Sequence, residues 1–171
     1  RLLALGATLG ADVPFFIGGH NAFVEGVGER LTPLQLPPQR YAVVKPEAAI
    51  ATAEIFASPE LVRNTDAVIL SGSFADPEQQ SGRVGEFGIE FGRNALQAVA
   101  QKRFPQVQAV ARWLEARFGN SRMSGSGSAV FARVGTDVQD SATWPGDDMP
   151  AGWVARMCRS LDQHPLLGWA D

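Results

Sequence analysis

Two short segments of this sequence carry residue types that could do chemistry. The first is Met123-Ser124-Gly125-Ser126-Gly127-Ser128-Ala129. Its alternating glycines remove side chains and let backbone N–H groups turn toward an anion, with serine hydroxyls as further donors, so the chemistry it suits is phosphate binding. A tight turn that needs positive φ is the plainer reading of the same residues. A nucleophile elbow fits less well, because Ser126 is flanked two positions away by Ser124 and Ser128 instead of glycines. The second segment centres on Asp12, followed by Val13-Pro14-Phe15-Phe16-Ile17. A carboxylate at a helix mouth can orient a substrate hydroxyl or accept its proton. It can also do no more than cap the first amides of its helix.

Other polar and aromatic residues are assigned no chemical role. His20 follows a glycine pair and reads as a turn histidine, while Glu25 and Glu29 lie four apart across a turn as solvated acids. Gly85, Gly88 and Gly92 lack the spacing of a P-loop, and Trp113, Trp153 and Trp169 are expected to pack in cores or interfaces.

The elements that must position these residues can be read from periodicity and punctuation. Leu2, Leu5 and Leu9 have helical spacing, closed by Gly10, and Asp12 with Pro14 starts a second helix ended by Gly18-Gly19. Residues 21–25 and 29–34 read as a hairpin turned at Gly26 to Gly28, stopped by Pro37-Pro38. Tyr41 to Val44 is a buried strand, and Ala51 to Ala57 a short helix. A long exposed loop is expected between Ser71 and Gly85. Helices follow from about Gly92 to Arg103 and from Pro105 to Phe118, the second carrying Val107, Val110, Ala111 and Leu114 on one stripe and ended by Gly119. Arg122-Met123 and 129–134 should form a hairpin across the glycine-serine loop, and Trp153 to Arg159 alternates like a strand. Residues 137–152 are ambiguous. The fold class expected is α+β, with helices on one face of a sheet.

Bulk properties narrow the function classes. The 171 residues are 45% hydrophobic, with 15 basic against 18 acidic side chains and a formal net charge of −3. No basic stripe tracks a phosphate backbone, so nucleic acid is not an expected partner. No apolar run reaches the roughly 20 residues needed to span a bilayer, and a cytoplasmic location is the default expectation. One cysteine, Cys158, and two histidines exclude an internal disulfide and a Cys/His zinc cluster, and no metal-ligating residues are assigned. Lys45 and Lys102 are the only lysines, and neither lies in a glycine-rich loop.

Leu9-Gly10-Ala11-Asp12-Val13-Pro14-Phe15-Phe16 and the Met123–Ala129 loop resemble, in the correct order, the catalytic-aspartate and third signature motifs of the GHMP kinase superfamily. Ala22 to Glu29, Ile55-Phe56 with Pro59-Glu60-Leu61, Arg63-Asn64-Thr65 and Pro165 to Trp169 extend the resemblance over nearly the whole chain. They narrow it to the branch acting on a cytidine diphosphate-linked methylerythritol in non-mevalonate isoprenoid synthesis. The resemblance implies a remnant of the N-terminal ATP-binding domain at 1–38 and a ferredoxin-like C-terminal domain at 39–171. It implies transfer of the γ-phosphoryl of ATP, with Mg, onto the 2-hydroxyl of that small molecule. Asp12 matches the residue that orients or deprotonates the hydroxyl, and Gly125, Ser126, Gly127 and Ser128 match the loop that closes over phosphates and substrate. Thr52 matches a substrate-side position, although Ala53 stands where a proline is expected. The family's N-terminal lysine and its P-x-G-x-G-L-G-G-G-S-S loop have no match here and are expected upstream of Arg1. Without that cradle the chain alone is expected to be inactive, a fragment of the enzyme. The alternative is a non-catalytic α+β ligand-binding or interaction module.

Overall fold

A computed structural model describes residues 1–64, 93–135 and 144–167. The loop expected at 71–85, part of the ambiguous 137–152 segment, and Trp169 lie outside the described residues. Contacts divide the chain into two units, one holding Arg1–Pro38 and the chain from Leu161, the other running from Gln39 to Ser160 apart from residues assigned to the first.

In the second unit, β3 (Arg40–Lys45), β4 (Arg122–Met123), β5 (Val130–Val134) and β6 (Val154–Arg159) form one sheet in the order β4-β5-β3-β6. Every neighbouring pair is antiparallel. The unit's first strand thus lies between its third and fourth, the ferredoxin-like order. Strand alternation decides the faces: Ala42 pairs with Ala132 and Val44 with Val130, and all four are buried. On the other face Tyr41 meets Phe131 edge-on, ring centroids 5.7 Å apart.

The buried face is covered by α4 (Ala95–Arg103) and α5 (Pro105–Phe118). Helix α5 starts with proline and ends at Gly119 with φ 67, and its Val107, Val110, Ala111 and Leu114 join the core, as the stripe predicts. Its far end is pinned by Asn120, whose amide donates to the carbonyls of Phe118 and Arg133 and whose oxygen accepts from the Arg133 amide at 2.7 Å. Helix α4 is capped by Asn94, whose side chain accepts from the Leu96 amide at 2.9 Å. Trp113 lies 5.5 Å from Trp144 and 6.0 Å from Trp153, and the Arg117 guanidinium sits 3.7 Å over the Trp113 ring. Arg117 also pairs with Asp148 and holds that carboxyl below its ordinary range.

The first unit holds α1 (Leu2–Leu9), α2 (Val13–Gly18) and the hairpin of β1 (Ala22–Glu25) and β2 (Arg30–Pro33), paired Ala22 with Pro33 through Glu25 with Arg30. The leucines that mark α1 in the sequence face outward; the buried residue is Gly6. A Cβ there would meet Ile17 Cδ1 at 2.5 Å, so a larger residue would require the end of the Ile17 side chain to turn aside. All of 39–171 reads from sequence as one domain, yet residues from Leu161 group with the first unit. The reason is local: the His164 amide donates to Gly19 O at 2.7 Å, His20 and Gln163 form a β-bridge, and Phe16 meets the His164 ring edge-on at 5.8 Å.

Candidate active site

The glycine-serine loop joins β4 to β5 as a strapped turn. The Ser124 amide donates to Ala129 O and the Gly127 amide to Ser124 O, each at 2.9 Å. Gly125 and Gly127 have φ of 53 and 93, values that glycine adopts readily. A Cβ on Gly127 would also press on Met123 Sδ at 2.8 Å. The tight turn and the amide-presenting loop, set against each other as readings of the sequence, therefore coexist. Among the described residues the amides of Gly125 and Ser126 donate to no protein atom. Gly125 is exposed and Ser126 half-buried, so both donors remain available to an anion.

The hydroxyls of the loop divide. Ser128 is buried and donates to Ala48 O at 2.5 Å, which makes it a strut under the loop. Ser126 Oγ lies 2.7 Å from Thr52 Oγ1, on the first residue of α3 (Thr52–Phe56). One proton of that pair bridges the two oxygens, and the other is left to donate outward. Thr52, matched only by resemblance, is thus brought against the loop.

Asp12 precedes α2 at the N-cap position, but its side chain makes no cap hydrogen bond and its backbone is already right-handed helical, φ −85 and ψ −16. The carboxylate is exposed and not consumed by its helix. The segment before it is backed by the hairpin turn: Gly28, at φ 118, sits so close to Ala11 that a Cβ would overlap the Ala11 carbonyl oxygen. Glu29 ties the same turn by accepting from the Val27 amide at 2.8 Å. Its carboxyl is held below the ordinary value, chiefly by its own backbone amide and then by that of Val27. His20 lines a cavity of about 630 Å³ together with Asn21, Leu34, Asp162 and Gln163, a feature sequence reading did not anticipate. Lys102 pairs with Glu60 at 2.5 Å on the surface.

The GHMP kinases C terminal family matches residues 77–142. A crystal structure of 4-(cytidine 5'-diphospho)-2C-methyl-D-erythritol kinase superposes with a TM-score of 0.54 and 34% identity, over 77% of this chain and 47% of that one. Residues 77–142 thus carry the match to the C-terminal domain of the GHMP kinases, and the chain as a whole is similar to members of that family. Within them it is similar to 4-diphosphocytidyl-2-C-methyl-D-erythritol kinase of Methylibium petroleiphilum, 51% identical over 99% of this chain and 56% of that protein. The kinase of the same name from Albidiferax ferrireducens is 46% identical, over 99% of this chain and 53% of its own length. The chain therefore spans about half the length of the curated relatives it matches.

Proposed function

We propose that this chain is part of an ATP-dependent kinase that phosphorylates the 2-hydroxyl of 4-diphosphocytidyl-2-C-methyl-D-erythritol. The observation that carries the reading is the strapped loop, which leaves the Gly125 and Ser126 amides without acceptors among the described residues, in a chain about half identical to kinases of that name along its whole length. In this reading residues 1–38 come from the ATP-binding domain and the unit from residue 39 is the C-terminal domain. The partner is the small, cytidine diphosphate-linked molecule, and the location is cytoplasmic. Among the described residues no helix is long and apolar enough to cross a membrane.

The division of work follows from the donors and acceptors. The amides of Gly125 and Ser126 and the outward hydroxyl proton of the Ser126–Thr52 pair hold phosphate oxygens, where preorganised donors stabilise the charge that develops in transfer. Asp12 accepts the hydrogen bond of the substrate hydroxyl, orienting it and taking its proton. Mg carried on the nucleotide would neutralise phosphate charge. Ser128 keeps the loop in register through Ala48.

The test is Asp12→Asn in a polypeptide that also supplies the family's lysine and nucleotide loop. Turnover should fall by about 100-fold or more while ATP binding is retained. Unchanged turnover would remove Asp12 from the reaction.

A further inference from the structure

The start of α4 reaches 29 to 31 residues along the chain to the glycine-serine loop, through contacts that neither the loop's sequence nor its resemblance announces. Asn94 divides its amide between two tasks. Its oxygen caps α4 at the Leu96 amide, 2.9 Å away, while its NH₂ donates to Met123 O and to Gly125 O, each at 2.8 Å. One turn on, Gln97 Oε1 accepts from the Met123 amide at 2.9 Å. The last residue of β4 is thus gripped at both its N–H and its C=O, and the grip continues to the first glycine of the loop.

The consequence lies in which groups are left over. With the carbonyls of Met123 and Gly125 engaged by Asn94, and the Ser124 and Gly127 amides spent inside the turn, the peptide planes on either side of Gly125 are fixed from both ends. The Gly125 and Ser126 amides are then held outward before any anion arrives, so little ordering remains to be done on binding. An aspartate could not do this, because it has no donor for the two carbonyls. A serine could cap α4, yet has neither the reach nor the second donor.

We propose that Asn94 is a positioning residue of the phosphate-binding loop, clasping it to the first turn of α4 so that the Gly125 and Ser126 amides are preset for phosphate. The role rests on the reading of that loop as a phosphate site.

The experiment compares the 171-residue chain with Asn94→Asp and Asn94→Ser. Both keep an oxygen for the Leu96 amide and lose the donors to the loop. Amide hydrogen exchange is measured at Leu96, Ser124 and Gly127, and NMR shifts of the Gly125 and Ser126 amides are followed during titration with inorganic triphosphate. Both variants should leave Leu96 protected, speed exchange at Ser124 and Gly127 by about tenfold or more, and weaken the triphosphate response by about tenfold. Unchanged loop exchange in both variants overturns the proposal. So does loss of Leu96 protection in step with the loop, which would make Asn94 a helix cap only. Faster loop exchange in the variants, with no triphosphate response in the unsubstituted chain, supports the clasp and overturns the phosphate reading of the loop.

Discussion

Gly28→Ala should damage the site of Asp12 without touching Asp12. Two costs add. The first is conformational: an alanine at φ 118 stands outside the regions open to L residues, at about 1–3 kcal/mol. The second is steric. The new Cβ would overlap the Ala11 carbonyl oxygen and lie 2.8 Å from its carbon, against a van der Waals contact of about 3.5–4.0 Å. The turn and the Ala11 peptide must separate by about 1 Å, and neither partner is a flexible side-chain end that could swing aside. Ala11 is bonded to Asp12, so the displacement passes directly to the candidate catalytic carboxylate. A misplacement of that size costs about 100-fold in rate. The conformational cost alone should lower the melting temperature by about 2–12 °C, taking about 2–4 °C per kcal/mol for a chain of this length, and the steric cost lowers it further. In a polypeptide that supplies the family's nucleotide loop, kcat should drop by about 100-fold with little change in KM for ATP. Gly119→Ala is the control, since φ there is also positive, at 67, but nothing lies within 4 Å of the added atom. It should lower stability by about 1 kcal/mol and leave kcat alone. If Gly28→Ala melts within about 1 °C of the parent and turns over normally, the close approach of turn and Ala11 does not position Asp12.

Leu114→Ala removes a fully buried side chain from the α5 stripe and should destabilise the second unit by about 2–5 kcal/mol in urea unfolding; a change under about 1 kcal/mol would mean the core relaxes around the gap. Glu29, whose carboxyl is held below its ordinary 4.5, contributes stability that is fully present above that value and is lost as pH falls through the lowered folded-state value. Exchange at the Val27 amide, corrected for its intrinsic pH dependence, should therefore accelerate as pH falls below 4.5, and Glu29→Gln should flatten that dependence. A pH response equal in the two proteins would rule the tie out.

Much of the second unit was legible because its signals are local. The valine and leucine stripe of α5, its proline start and its glycine end repeat with the helical period, and the alternation of β3 and β5 separates core from surface without tertiary information. The glycine-serine loop was legible for the same reason. What holds it was not: Asn94 and Gln97 act across the fold, and only the preference of asparagine for the residue before a helix could have hinted at Asn94. Asp12 shows the opposite limit. Sequence predicts its position at a helix start, but whether the carboxylate bonds the helix amides depends on a side-chain torsion that spacing does not encode. Gly28 was visible as a turn glycine, while the backbone it touches, 17 positions earlier, was not.

The return of residues from Leu161 to the first unit has a consequence for synthesis. The amide of His164 meets Gly19 across 145 positions, so α1, α2 and the hairpin wait for the intervening second unit to be made before their last strand-like partner exists. Closing so long a loop costs entropy that a prefolded second unit reduces by bringing its two ends, Gln39 and Ser160, within a hydrogen bond of each other, 2.8 Å from amide to carbonyl. The later-made part of the chain thereby serves as the clamp on which the earlier part completes itself.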